Sequence, residues 1–584
     1  MAVVLKRLIA VQVSKATGLT EESILPLISP LPVTKKRIVL EYGLSVKPLF
    51  QKHVSPGSTP SGKGLQEFAE KIASKMTCPA HVHHVKVASN GLVKFHVSPS
   101  MMAQKVLEQV QLEADRYGVT PEPWTDMQRQ RMIVEFSSPN IAKPFHAGHL
   151  RSTLIGNCVA NLHAAMGHDV TRMNFLGDWG VQFGLLGVGF QRYGSEEELA
   201  QNPIQHLFDV YVRVNEEAKS DPRVHQEVQE FSQAMDKGDS NCLGLWRRFR
   251  DLSTLEYSAT YKRLGIAFDE YAWESQYGEK AHSLLRILKD KGLLVQSEEG
   301  TGIVDLHDLS LPQSKFATLL KSDGTTLYLT RDIAAAIDRY ETHRYDGMYY
   351  VVDKSQEGHF CQLRGVLKKM NLDLADRCHH IKFGRVLGMQ TRTGNVVLLR
   401  DILDEARNRM LHNMHETASS KQLDNPEEVA EQLGVSAMIV QDLRGKLMND
   451  YRFDWNRILT SQGDTGVFLQ YTHARLYSIE QLSGVSLDPS CDTSTLTEPE
   501  AILLAHHLSL FSTAVTKAHS SMEPSHLTVY LLQLCHFASS AVKVLRVKDA
   551  DKQQAEARLL LFNSTRQALA NGMKILGITP LKHM

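Results

Sequence analysis

Two histidines separated by Ala-Gly, His146 and His149, stand where a strand and its loop give way to a helical pattern. The apolar run Met132–Phe136 predicts a buried strand, and the apolar spacing that follows predicts a helix over 149–166. A helix N-terminus attracts anions through its free backbone N–H groups and its dipole. Gly148 would let a phosphate or a purine ring approach the backbone. The pattern therefore favours a phosphate site beside a bound nucleotide, although an isolated pair like this is more often two core histidines.

Composition narrows the class of protein. The chain has 584 residues, with 65 basic and 65 acidic side chains, so we expect several domains and no overall charge that favours nucleic acid. Its seven cysteines are scattered and form no C-x-x-C pair, which favours a reducing compartment and predicts neither a disulfide framework nor a metal site. No run of 18 apolar residues exists, so we predict no transmembrane helix and no membrane partner.

The pattern of elements divides the chain into segments. Residues 1–117 read as a small α/β unit with a hairpin at Asn90-Gly91, and 118–131 is rich in turn residues and reads as a linker. The strand and helix patterns of 132–400 predict a nucleotide fold, interrupted over about 190–295 by charged helical sequence. From 401 to 584 the chain predicts nearly continuous helices.

Several motifs resemble those of one family. The run S-S-P-N-I-A-K-P-F-H-A-G-H-L-R-S-T at 137–153 resembles the signature of the class I arginyl-tRNA synthetases, whose ATP motif is written HIGH. G-D-W-G-V-Q-F-G at 177–184 and Q-Y-T-H-A-R at 470–475 resemble the same family, most closely its animal mitochondrial branch. The resemblance implies a Rossmann-type α/β catalytic domain split by a helical insertion. A small α/β tRNA-contacting domain would precede it, and an all-α anticodon-binding bundle would follow.

The resemblance also implies site residues. Those matching the arginine-binding positions are Glu135, Ser138, Pro139, Asn140, His149, Tyr328, Asp332 and Gln356. Asp332 suits a guanidinium, since a carboxylate accepts its paired donors, although the position near a predicted helix start also explains an acid there. Matches to the ATP site are His146, Gly148, His149, Met389 and Arg392, and the catalytic set would be His146, His149 and Lys143. Asp178 and Gln182 are either polar groups of the site or caps of their loop.

One motif departs from the family pattern. The loop G-M-Q-T-R-T-G at 388–394 matches the second class I signature, KMSKS, but lacks its second lysine. Developing charge on pyrophosphate still needs a cation, and the resemblance implies that Lys143 supplies it with help from Arg392. The alternative for Lys143 is a solvated loop lysine.

Contacts with tRNA are implied at two places. For the first tRNA contact the candidates are Asn90, in the predicted hairpin, and Phe95 nearby. The alternative is that Asn90 is an ordinary turn residue and Phe95 an aromatic residue of the core. Candidates on the predicted helix of the last domain are Gln470, Tyr471, His473 and Arg475, which suit stacking on single-stranded bases. Packing within the helical bundle is the alternative for these four.

The resemblance implies that ATP with Mg²⁺ activates L-arginine for transfer to tRNA(Arg), in a monomer of the mitochondrial matrix. A cytoplasmic location is the alternative, because the first helix pattern (2–18) fits either a presequence or an ordinary domain helix. Two other functions remain open: another nucleotidyltransferase with an H-x-G-H motif, and a tRNA-binding relative without catalysis.

Overall fold

The computed structural model describes residues 2–31, 33, 39–53, 62–78, 82–119, 128–141, 145, 147–309, 311, 315–388, 398–416 and 424–584. Its helices are α1 Ala2–Thr17, α2 Glu21–Ile24, α3 Lys47–His53, α4 Gly62–Lys75, α5 Pro99–Glu113, α6 Ala147–Ala165, α7 Val181–Tyr193, α8 Glu196–Gln201, α9 Pro203–Ser220, α10 Pro222–Asp236, α11 Ser240–Arg263, α12 Gly278–Asp290, α13 Tyr328–His343, α14 Glu357–Lys369, α15 Leu399–Glu416, α16 Pro426–Leu443, α17 Trp455–Ile458, α18 Gly466–Leu482, α19 Pro499–Ser509, α20 Phe511–Ser521, α21 Ser525–Val544 and α22 Lys552–Leu576. Its strands are β1 Ile28–Pro30, β2 Glu41–Ser45, β3 Val82–Val87, β4 Leu92–Val97, β5 Arg131–Glu135, β6 Asp169–Leu176, β7 Glu270–Trp273, β8 Leu294–Gln296, β9 Gly302–Asp305, β10 Phe316–Leu320, β11 Gly347–Asp353, β12 Cys378–Phe383, β13 Val386–Leu387 and β14 Tyr451–Arg452.

The N-terminal unit is a four-stranded sheet in the order β1-β2-β4-β3, covered by helices. Strands β3 and β4 form the hairpin that Asn90-Gly91 predicts, with Gly91 at a φ of +78° where a side chain would be strained. Asn90 is exposed at the turn, whereas Phe95 is fully buried, which leaves Phe95 to the core alternative. Helix α1 buries Leu5 and Ile9 in the same core, as an ordinary domain helix does.

The site is built on a five-stranded parallel sheet in the order β12-β11-β5-β6-β7. From the central pair β5–β11, the chain adds β6 and β7 on one side and β12 on the other. A crevice therefore opens at the carboxyl ends of β5 and β11. Strand β7 lies inside the range predicted as the helical insertion. The main sheet thus takes its edge strand from that range, because the helices α7–α11 return the chain to the sheet.

Helix α6 is the centre of the molecule. Every residue from 151 to 160 is buried, because one side of the helix packs on the sheet and the other on α16, α20 and α22 of the C-terminal bundle. Its N-terminus lies at the crevice. Because α6 is packed on all sides, the groups at its N-terminus are held in a fixed position.

The C-terminal helices α15–α22 pack as a bundle, and the N-terminal unit docks on it. Tyr117 donates a hydrogen bond to the carbonyl of Leu508 (2.8 Å), and Asn571 donates one to the carbonyl of Ala114 (2.9 Å). Helix α21 is long and apolar enough, by length and composition alone, to cross a membrane. Half of its apolar window is buried against neighbouring helices, as in the core helix of a bundle.

Candidate active site

The loop that follows β5 lies over the N-terminus of α6. Ser137 and Ser138 both adopt positive φ angles (71° and 44°), which is costly for residues with a side chain. Hydrogen bonds hold them there: the N–H of Ser137 donates to Ser152 Oγ (3.0 Å), and that of Ser138 donates to Asn174 Oδ1 (3.1 Å). This loop carries three of the predicted arginine-site residues, namely Ser138, the buried Pro139 and Asn140.

Asn140 is held against the loop that follows β6. Its backbone pairs with Gly177, and a Cβ at Gly177 would lie 2.1 Å from Asn140 Oδ1. Tyr257 adds a hydrogen bond to the carbonyl of Asn140 (3.0 Å). A side chain at position 177 would displace the amide oxygen of Asn140, so the first Gly of the Gly-Asp-Trp-Gly motif leaves room for that amide.

A cavity of about 810 Å³ lies between this loop, the N-terminus of α6 and the ends of β11 and β12. Four predicted residues line it: Ser138, Gly148, His149 and Gln356. The imidazole of His149 stacks on Phe145, with ring centroids 5.5 Å apart, so its orientation is fixed. The cavity has the size and the helix N-terminus that a nucleotide needs.

Tyr328 and Asp332 lie on one face of a helix. This helix, α13, begins at Tyr328, and Thr330 in its first turn donates its hydroxyl to the carbonyl of Leu319. Because the helix already includes Tyr328, Tyr328 and Asp332 are one turn apart. His359 Nε2 lies 2.7 Å from Asp332 Oδ2. Tyr328 is 58% exposed and accessible to a ligand.

Glu135, another predicted arginine-site residue, is buried at the end of β5. Its carboxylate pairs with Arg339 of α13. Burial raises the pKa of Glu135, Arg339 opposes that shift, and Asp332 and His359 both act on it electrostatically. Glu135 thus lies within electrostatic reach of Asp332, in a position to fix α13 against the sheet.

Sequence reasoning missed one acid of this region. Glu274 follows β7, is buried and pairs with Arg331. Burial raises the pKa of Glu274 to about 7, with Arg331 opposing and with Asp332 and Asp178 adding to the rise. An acid directly after a strand of a parallel sheet lies at the ligand edge, but β7 was not predicted from the sequence, so this signal was hidden. Asp178 itself accepts hydrogen bonds from the N–H and the hydroxyl of Ser275, as a loop cap does.

Four predicted residues, Lys143, His146, Met389 and Arg392, lie outside the described residues. The base of the 388–394 loop is described. Strand β13 pairs in parallel with β14, which follows α16 of the C-terminal bundle, and the Asp450 carboxylate accepts from the N–H of Arg385 and from Lys354 (2.8 Å each). The loop therefore leaves from a segment joined to the bundle.

The predicted base-contacting residues of α18 separate into two pairs. Gln470 and His473 are buried and hold the C-terminal tail: Gln470 donates to the carbonyl of Thr579 (2.8 Å), and His473 Nδ1 lies 2.6 Å from the carbonyl of Leu581. Their burial favours the alternative of packing within the bundle for these two residues. Tyr471 is 40% exposed and Arg475 is partly exposed, so both remain candidates.

Comparisons with known proteins agree with this geometry. Residues 120–455 match the family of class I tRNA synthetases (R), catalytic domain, and residues 469–584 match the DALR anticodon binding domain. The human protein named "Probable arginine--tRNA ligase, mitochondrial" is 46% identical over 584 residues, covering 100% of both chains. The cytoplasmic arginine–tRNA ligase of Saccharomyces cerevisiae is 42% identical over 537 residues, covering 90% of this chain and 87% of that one.

Solved structures share the fold. The arginyl-tRNA synthetase of Thermus thermophilus superposes with a TM-score of 0.80 at 22% identity, covering 100% of both chains. That of Plasmodium falciparum superposes with a TM-score of 0.78 at 22% identity, covering 100% of this chain and 99% of that one.

A parallel-sheet crevice at a helix N-terminus, with an anticodon-binding helical bundle behind it, defines a class I aminoacyl-tRNA synthetase. The family within that class follows from full-length identity as well as from the domains. The chain belongs to the arginyl-tRNA synthetases and is an arginine–tRNA ligase.

Proposed function

We propose that the crevice binds Mg·ATP and L-arginine side by side, with ATP over the N-terminus of α6 and arginine towards α13. The cavity lined by Gly148, His149 and Gln356 supports the first placement. The carboxylate of Asp332, one turn from Tyr328, supports the second, since a guanidinium needs an acceptor pair. Asn140 and Gln356 would hold the α-amino end of arginine. Mg²⁺ would arrive with the phosphates of ATP and neutralise their charge.

The reaction that this arrangement would serve is a two-step acyl transfer. The carboxylate of arginine attacks the α-phosphorus of ATP, so an O–P bond forms while the bond to pyrophosphate breaks. The 2′-hydroxyl of the terminal ribose then attacks the acyl carbon, AMP leaves, and the hydroxyl proton is lost. Neither step needs a side-chain nucleophile, so His146, His149 and Lys143 would act by positioning and by stabilising charge on the phosphates.

Specificity for arginine would come from the same carboxylate. A neutral or shorter amino acid would leave Asp332 without the guanidinium it would otherwise bind, at a penalty of roughly 10⁴-fold or more. Such a site needs no second, editing site.

The macromolecular setting is part of the proposal. We propose that tRNA(Arg) contacts Tyr471 and Arg475 on α18 and Asn90 on the N-terminal hairpin, and that bound tRNA is needed for the first step. The join between the 388–394 loop and the helical bundle supports that dependence. We place the protein in the mitochondrial matrix, on its similarity to mitochondrial enzymes, and expect a monomer.

The single observation that carries the proposal is the pairing of Tyr328 and Asp332 on α13, and arginine attachment to tRNA tests it. We expect Asp332→Ala to lower kcat/KM for arginine at least about 100-fold, because the guanidinium loses its acceptor. Asp338→Asn, on the same helix but paired with Lys280, is the matched control and should retain activity.

The outcomes separate the alternatives. Wild-type attachment that persists in Asp332→Ala would overturn the assignment of the guanidinium site. A wild-type chain that binds tRNA without attaching arginine would favour the non-catalytic relative. Exchange of pyrophosphate into ATP that is indifferent to arginine would favour another H-x-G-H nucleotidyltransferase.

A further inference from the structure

Two histidines five residues apart, His163 and His168, meet a third from a distant part of the chain, His519, at the end of α6 away from the crevice. His163 lies near the C-terminus of α6, His168 precedes β6, and His519 lies near the end of α20 in the C-terminal bundle. One nitrogen from each ring lies within 4.8 Å of the others. His163 is 14 residues after His149, about 21 Å along a helix, so this cluster is separate from the ATP site.

The chemical state of these rings suits a metal. Burial lowers the pKa of His163 to about 3 and that of His519 to about 4, with neighbouring imidazoles adding to the shift in each case. Burial also lowers the pKa of His168. The rings are therefore neutral near pH 7, which is the form of imidazole that ligates metals.

The polar partner of the buried His163 is unusual. His519 Nε2 lies 3.1 Å from His163 Nδ1, so two imidazole nitrogens face each other, and the ligand nitrogens of all three rings lie within 4.8 Å of one another. Buried histidines ordinarily bond to a carboxylate, a carbonyl or water. A tetrahedral ion with metal–nitrogen bonds of about 2.0–2.1 Å would place two ligand nitrogens about 3.3 Å apart, close to the separation seen here.

We propose that His163, His168 and His519 form a binding site for a divalent transition-metal ion of the zinc class. Three imidazoles are a nitrogen-rich set that suits Zn²⁺, Cu²⁺ or Ni²⁺ and not Mg²⁺ or Ca²⁺. Since His163 and His168 belong to the catalytic sheet layer and His519 to the helical bundle, the bound ion ties these two parts together. The site stabilises their contact and takes no part in the chemistry.

Zinc binding by the full chain, purified without a histidine tag, tests the proposal. We expect one tightly bound Zn²⁺ per chain in calorimetry, and a raised Tm with Zn²⁺, because the ion binds the folded state alone. Co²⁺ in its place should give the visible bands of a tetrahedral nitrogen site without a thiolate charge-transfer band, which separates the imidazoles from the seven cysteines.

Variants locate the site. His519→Ala and the less buried His168→Gln should each weaken Zn²⁺ binding about 100-fold and abolish the rise in Tm, while His536→Ala, an exposed histidine on α21, should change neither. Circular dichroism shows whether each variant folds. If His519→Ala does not fold, His168→Gln alone tests the proposed site. Equal Zn²⁺ affinity in wild type and in His168→Gln, or no binding by the wild type, would overturn the proposal.

Discussion

Glu274 is the residue whose environment differs most from what its position in the sequence suggests. It is buried beside Arg331, and burial raises its pKa to about 7, so its charge changes within the working range of an enzyme. Asp332 and Asp178 add negative charge around it. Glu274 also raises the pKa of Tyr328, after burial the largest effect on that phenol, so it lies within electrostatic reach of the proposed guanidinium site.

Arginine binding should therefore depend on pH through Glu274. Below about pH 7 the carboxyl is neutral and Arg331 lacks its counter-charge, so a cationic substrate is bound less well; above pH 7 the pair is neutral overall. We expect KM for arginine to fall about threefold from pH 6 to pH 8 in wild type, an effect of roughly 0.7 kcal/mol. Aminoacylation kinetics across that range provide the measurement.

The test compares substitutions at two acids that flank the same turn, Glu274 and Glu279. Glu274→Gln should show a high KM for arginine that no longer changes with pH. Glu279→Gln, exposed on α12, should keep the wild-type profile. An unchanged profile in Glu274→Gln would assign the pH dependence to another group.

At this scale the sequence predicted which functional groups a site could use, and not where each side chain lies. Asp332 and Tyr328 could be proposed because they match positions of the resembling family and because a guanidinium suits a carboxylate. The burial of Gln470 and His473 could not, because it depends on a C-terminal tail more than 100 residues further along the chain. Helical spacing alone does not tell a polar residue that faces solvent from one that binds a neighbouring segment.

Among the elements, α6 links the active site to the helical bundle. Arg151, two residues after His149, is buried and forms an ion pair with Asp442 of α16 (3.1 Å). It also donates hydrogen bonds to the carbonyls of Asn449 and Leu447, in the segment that leads to β14. One guanidinium thus joins the helix whose N-terminus lies at the crevice, the bundle and the base of the 388–394 loop.

Removing the charge of Asp442 should lower the free energy of unfolding. Asp442→Asn leaves the buried Arg151 without its counter-charge, and we expect a loss of about 3 kcal/mol in the free energy of unfolding. The double variant Arg151→Met/Asp442→Asn should recover part of that loss, because neither partner is then a buried charge. Urea denaturation of the four proteins of this cycle measures the coupling.

A partly exposed pair on nearby elements, Arg400 with Glu256, is the control. Glu256→Gln should cost less than about 1 kcal/mol, since solvent screens such a pair. A cost for Asp442→Asn no greater than that of Glu256→Gln would show that Arg151 is held by its two carbonyls alone.

The bounds of α6 and β5 followed closely from the sequence, since a buried strand, a turn and an apolar helix are local patterns. The pairing of Arg151 with Asp442 did not follow, because the two are 291 positions apart and neither belongs to a motif. The edge strand β7 was likewise hidden, since four residues inside a long helical stretch give no periodic signal of their own.

On the scale of the whole molecule, neutral buried histidines are a common structural element. His473, His506 and His507 lie inside the helical bundle and His380 on the outer strand of the main sheet, and burial lowers the pKa of each to about 4. Three of them bond to carbonyls of other segments: His507 to that of Tyr530, His473 to that of Leu581 and His380 to that of Val352. Protonation of these rings therefore lowers the free energy of unfolding.

Acid should destabilise the protein in a defined window. A histidine with a lowered pKa in the folded state binds more protons when unfolded, so stability is full above about pH 6.5 and is lost as the pH falls towards 4. Each such histidine costs about 1.4 kcal/mol at pH 5.5, and we expect the four together to lower the free energy of unfolding by about 5 kcal/mol between pH 7.5 and 5.5. Urea denaturation at the two pH values measures this difference.

In His506→Gln the difference in the free energy of unfolding between the two pH values should shrink by about 1.4 kcal/mol, whatever the variant's stability at pH 7.5. His536→Gln, at an exposed position, should leave this difference unchanged. An equal difference in His506→Gln and wild type would mean that the carboxylates, and not the buried imidazoles, set the acid limit of this fold.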